Sequence, residues 1–217
     1  MALDDAYDDY EQSERVQRWL RENGVSILVG IVIGLVGIFG LQQWRQHQAN
    51  SEAAASVLYQ QVQVTLASDK PAAATAFIEE LKKDYAKSPY TLFALSDQAR
   101  RQVQDQQLAK ASASLEWAAG HANAPQLKAL MQLRLARVQM ANNDAKTALT
   151  TLGGIAVGQY AGLVQELRGD ALVQLGRAPE ARKAYEAAMA ALGEDAPQHA
   201  VLQMKIDDLA VAGKQGA

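Results

Sequence analysis

The sequence predicts an all-α protein: a single N-terminal transmembrane helix, then an α-solenoid of about four helical hairpins, then a C-terminal capping helix. Three observations carry that expectation. Seventeen consecutive residues, Val25–Leu41, contain neither a charge nor an amide. Alanines at 74, 111, 148 and 181 recur in phase through the rest of the chain. No run of alternating Val, Ile or Thr marks a strand.

The apolar run comes first in the chain. At about 1.5 Å per residue it extends roughly 25 Å, the short end of what a bilayer core requires. Trp19 and Trp44 bracket it at the spacing of two headgroup belts. A cleavable signal peptide has a short basic start and a small-residue cleavage site. Here the start is long and acidic, and Gln42-Gln43-Trp44-Arg45 follows the run, so the segment reads as an uncleaved anchor. Arg15, Arg18 and Arg21 precede it, and only Arg45 follows before Lys70. By the positive-inside rule the N-terminus is expected to be cytoplasmic and the remainder to lie across the membrane, which for a bacterial inner membrane means the periplasm. The expected divisions are an acidic tail and juxtamembrane helix over 1–23, the anchor over 24–44 and the repeat domain over 45–217. Gly30, Gly34 and Gly37 share one face of the anchor and suit close packing against another membrane helix.

The acidic start, Asp4 to Glu11, cannot bury a core and is expected to be disordered, with a short helix beginning near Ser13. Beyond residue 24 the chain carries 18 Lys+Arg against 17 Asp+Glu. A nearly neutral domain lacks the concentrated basic face that nucleic acid demands. The absence of cysteine excludes disulfides, thiolate metal sites and thiol catalysis.

The repeat follows the anchor. Each in-phase alanine is followed four residues later by Ile78, Leu115, Leu152 or Tyr185, and three further on by Leu81, Ala118, Ile155 or Ala188. That is one stripe of a helix. About twelve residues upstream sit Val62, Ala99, Ala136 and Gly169 on a preceding helix, separated from the alanines by turn residues such as Asn142-Asn143-Asp144. A small residue lets the second helix press on the first, and the large one fills the space against the next hairpin. One such hairpin cannot hide its apolar face, so several stack. Gly153, Gly154 and Gly158 mark an irregular third-to-fourth junction, and Pro197 precedes a final helix carrying Leu202 and Ile206.

The period and pattern resemble the tetratricopeptide repeat, most closely in the fourth unit with Gly169, Leu172, Gly176, Ala181, Tyr185 and Ala188. The resemblance implies a groove lined mainly by the first helix of each pair. Its candidate partner-binding residues are Tyr59, Phe93, Arg100, Arg137, Met140, Glu166 and Asp170, with Arg100 and Arg137 suited to gripping a carboxylate or backbone carbonyls. Tyr59 and Gln63 stand where the carboxylate clamp of some members needs a lysine and an asparagine, so capture of a free C-terminal tail is not implied.

No constellation for catalysis accompanies the repeat. His47, His121 and His199 are far apart, Glu79-Glu80 and Asp207-Asp208 diverge around their helices, and Gly153-Gly154 lacks the lysine of a phosphate loop. No catalytic residue, cofactor, metal or small-molecule substrate is expected.

The complete order sharpens the family. An acidic start precedes Arg18-Trp19-Leu20-Arg21-Glu22-Asn23-Gly24, the glycine-rich anchor and Gln43-Trp44-Arg45. The fragments L-R-L-A-R-V-Q at 133–139, L-R-G-D-A-L at 167–172 and M-K-I-D-D-L at 204–209 follow. This resembles the YfgM-like family, ancillary subunits of the SecYEG translocon. The resemblance implies a periplasmic repeat domain beside the translocon, passing unfolded secretory clients to chaperones, notably the membrane-anchored PpiD. It also implies restraint of a stress-response regulator through the cytoplasmic segment. The alternative is a scaffold for another envelope pathway, such as cytochrome c maturation.

Overall fold

The computed structural model describes the backbone at residues 4–156, 158, 160–193 and 196–215, and side chains at 19, 21–26, 28–156, 158, 160–193 and 196–210. It divides into two units, Met1–Ser51 and Glu52–Ala217.

The first unit is part of one helix, α1 (Asp4–Ala67). The helix includes the acidic start for which composition predicted disorder. No proline occurs in that stretch and no glycine before Gly24, and aspartates in an opening turn complement the helix dipole. The side chains of that start lie outside the described residues. Across the apolar run Val25 is 77 % exposed, Ile33 67 % and Phe39 71 %. The core helix of a soluble domain would bury one face, and among the described residues of this run none is buried. Among the described residues α1 is the one helix long and apolar enough to cross a membrane.

The second unit contains the rest of α1 and eight more helices among the described residues. These are α2 (Pro71–Asp84), α3 (Pro89–Gln104), α4 (Leu108–His121), α5 (Pro125–Ala141), α6 (Ala145–Gly153), α7 (Ala161–Gln174), α8 (Ala178–Ala190) and α9 (Gln198–Gln215). Proline opens α2, α3 and α5, Pro179 sits in the first turn of α8, and Pro197 immediately precedes α9. A proline there has no amide hydrogen to waste and holds φ ready for the helix. Ser88 caps α3, its hydroxyl accepting from the Tyr90 amide and donating to Glu52 of α1 at 2.6 Å.

The turns record the repeat independently of the side chains. Asp69, Gln106, Asn143 and Gly176 all have positive φ, between 54° and 72°. After each, an amide donates back five residues: Lys70 to Thr65, Gln107 to Gln102, Asp144 to Gln139 and Arg177 to Leu172, at 2.7–2.9 Å. This left-handed closure satisfies carbonyls stranded at the end of the first helix and starts the second. The four turn positions keep the spacing of the in-phase alanines, so backbone and side-chain patterns agree on four hairpins: α1–α2, α3–α4, α5–α6 and α7–α8.

Packing follows the stripe. The alanines at 74, 111, 148 and 181, the large residues four later and the residues seven later are all buried. Gly169 is required by close approach. A Cβ there would lie 2.2 Å from the Tyr185 ring. The third hairpin solves the same contact with Ala136 and Leu152, and the first with Val62 and Ile78, so volume moves between the helices while the space stays filled. The third-to-fourth junction is irregular, as its glycines indicate. Helix α6 has only nine residues, and Ile155 remains buried beyond its end.

First helices of successive hairpins also pack on each other, α3 with α5 and α5 with α7. A polar contact recurs at one register along them. Tyr59 Oη donates to Asp97 at 2.9 Å, Arg134 donates to the Ser96 hydroxyl, and Lys205 donates to Glu166 at 2.9 Å. At the junction between the last two, buried Leu133 and Leu167 take the same places. Lys205 belongs to α9, so α9 stands where the first helix of a fifth hairpin would. Its Leu202 and Ile206 are buried with Leu172, Ala181 and Tyr185, which closes the apolar end of the stack.

A cleft on the first-helix face

The seven candidate groove residues occupy four environments. Arg100 and Arg137, at equivalent positions of α3 and α5, line one cleft of about 370 Å³. Its floor includes Val103, Leu115 and Val138, and its walls carry Ser96, Asp97, Gln104 and Arg134. A smaller hollow of about 260 Å³ lies on the other side of Arg100, towards Gln63 and Leu66 of α1. Arg100 reaches Asp97 at 3.3 Å. Arg137 is exposed and has no hydrogen-bond or ion-pair partner among the described residues.

Tyr59 and Phe93 are half-buried, with ring centroids 6.3 Å apart, and Tyr90 lies 6.0 Å from Tyr59. This cluster holds α1 against α3 at the edge of the groove. Burial, then the hydrogen bond to Asp97, raises the Tyr59 phenol above its ordinary value, so it remains a neutral donor.

Met140 is a core residue. It packs with Ala136 of its own helix and with Ala145 and Ala148 of α6. At the end of α5 the chain turns straight into α6, and the second helix covers the side chain that sequence placed in the groove.

Glu166 and Asp170 are held within the fold. Lys205 donates to both, at 2.9 and 2.8 Å, and Tyr185 Oη donates to Asp170 at 2.8 Å. Burial lowers the Lys205 pKa, but the hydrogen bonds and charges of the two carboxylates outweigh it and leave the ammonium raised. Burial followed by the Asp170 bond raises the Tyr185 phenol strongly.

Sequence reasoning missed Arg134, Asp97 and Lys205. Arg134 had a usable signal, since it precedes Arg137 by three residues and shares its side of the helix. Lys205 had none, because its partners lie 35 and 39 residues away on another helix. His121 is the last residue of α4. It stacks on Trp117 with centroids 3.7 Å apart and donates from Nδ1 to the Trp117 carbonyl. Among the described residues no group of three or more His, Cys, Asp or Glu side chains could hold a metal ion.

A stack of hairpins with an open basic cleft defines a helical-repeat protein of the protein-binding class. The tetratricopeptide repeat-like domain family matches residues 17–211. The "Ancillary SecYEG translocon subunit" of Escherichia coli (strain K12) is 34% identical over 204 residues, 93% of this chain and 96% of that protein. The protein of the same description from Haemophilus influenzae is 30% identical over 206 residues, 94% of this chain and all of that one. That of Neisseria gonorrhoeae is 22% identical over 203 residues, 93% of this chain and 97% of its own length. The chain belongs to the YfgM-like family of ancillary SecYEG translocon subunits.

Proposed function

We propose that this protein is an ancillary subunit of the SecYEG translocon, anchored once in the inner membrane with its N-terminus cytoplasmic and its repeat domain periplasmic. The observation that carries the reading is similarity to translocon subunits along nearly the whole chain, anchor and repeats together. The anchor keeps a weakly binding groove at high local concentration beside the exit of the translocon. The first-helix face then receives a periplasmic chaperone such as PpiD, or an unfolded secretory client, and passes the client onward. Gly30, Gly34 and Gly37 form the side of the anchor on which a translocon helix packs.

Two measurements test this. Photo-crosslinkers at Phe93 and Arg137 in growing cells are expected to capture a periplasmic chaperone or secretory chains, and purification through the anchor to recover translocon subunits. A C-terminal reporter enzyme active only outside the cytosol is expected to be active. Recovery of no translocon subunit, or a silent reporter on a well-expressed fusion, overturns the proposal.

A further inference from the structure

One cleft of the repeat domain carries an excess of positive charge. The chain beyond residue 24 is almost balanced in charge, yet the α3–α5 cleft carries Arg100, Arg134 and Arg137 against the single carboxylate of Asp97. Asp97 is already engaged by Tyr59 and Arg100, and Arg134 by Ser96. Arg137 has no partner among the described residues. The floor beneath them is aliphatic, from Val103, Leu115 and Val138. A volume of about 370 Å³ has room for a few side chains.

We infer that this cleft is a seat for an extended acidic–aliphatic segment, in which carboxylates meet Arg100 and Arg137 while alternate aliphatic side chains enter the floor. An extended chain places successive side chains on opposite sides, so one set can enter the aliphatic floor while the other stays near the arginines that α3 and α5 each contribute. Guanidinium groups take carboxylates in a two-pronged geometry, so the arginines set direction as well as affinity. The fold contains the mirror-image solution: at the register of Arg100 and Arg137, the fourth hairpin has Asp170, and there a cation from α9 satisfies it. The inference rests on the functional reading above only in taking the occupant to be a polypeptide outside the membrane.

The test uses the full-length protein in zwitterionic nanodiscs and three fluorescent peptides of roughly ten residues. One alternates Val with Glu, the second replaces every Glu with Gln, and the third replaces every Glu with Lys. The Glu peptide is expected to bind at least tenfold more tightly than the Gln peptide and to weaken as salt rises. The paired substitution Arg100→Glu with Arg137→Glu is expected to abolish that preference and turn it towards the Lys peptide. Its thermal melt reports whether the domain remains folded, and Arg137→Gln alone is the milder variant, expected to reduce Glu-peptide binding several-fold. Equal binding of the Glu and Gln peptides, or a preference unchanged in folded Arg137→Gln and in the double variant, overturns the assignment. Purification of the same double variant from cells is expected to recover translocon subunits, since it leaves the anchor intact. Loss of those subunits from the wild type counts against the functional reading and leaves the chemistry of the cleft standing.

Discussion

The middle and the end of the solenoid present one row of side chains in two conditions. Arg100 and Arg137 face an open cleft, whereas Asp170, at the same register, is tied by Lys205 and Tyr185. The difference is not in the residues' own helices, which are all first helices of similar hairpins. It lies in what stands beside them. Helix α9 arrives as an unpaired fifth first helix and supplies the cation. Between α3 and α5 the neighbouring helix supplies further arginines. A charged residue on a repeat face is therefore left open or tied within the fold according to its neighbour, and register alone does not say which.

Removing the helix that closes the end should break the contrast most completely. Leu202 is fully buried, and Leu202→Ala is expected to cost about 2–5 kcal/mol. Urea denaturation measures that loss, and hydrogen exchange over 198–210 should rise. Next in size, Gly169→Ala drives a Cβ into the Tyr185 ring and should destabilise by about 1–3 kcal/mol in a thermal melt. Adding Tyr185→Leu recreates the Ala–Leu pairing of the third hairpin and should recover part of that loss, an interaction a double-mutant cycle reads directly.

Lys205→Met should cost less, about 1 kcal/mol, because each member of the triad keeps some contact with water. Its effect should depend on pH. The folded state holds the Lys205 proton more tightly than the ordinary value of 10.5, so the contribution is complete below that pH and fades as pH climbs through the higher folded value. Tyr185 acts in the same direction, since its folded pKa exceeds the ordinary 10.0. Stability should therefore fall in the alkaline range, and less steeply in Lys205→Met. The smallest effect on stability is expected from Arg137→Ala, within about 0.5 kcal/mol, with Glu-peptide binding reduced several-fold in the same sample. A large destabilisation there would show that the open arginine belongs to the structure after all.

Much of the fold was legible because its signals are local and periodic. The run from Val25 to Leu41 needs no partner to be recognised. The stripe through Ala74, Ile78 and Leu81 repeats with its preceding Val62, and every such position is buried. The candidate site was legible only in part. Arg100 and Arg137 line the cleft, but Met140 is covered by the helix that follows it, and Glu166 and Asp170 are already paired. Helical periodicity gives the direction of a side chain around its own axis. It does not give the distance to the next helix or the charge found there.

Sequence by itself thus determined the long apolar helix and the four hairpins with their turns, since these follow from hydrophobic period, proline placement and turn chemistry within short stretches. Tertiary structure alone decided which charges remain open. Ion pairs such as Lys205 with Glu166 join residues 39 apart, and their formation depends on how helices stack rather than on spacing along the chain. Local periodicity is set by the backbone's own geometry, whereas electrostatic satisfaction is a property of the assembled neighbourhood.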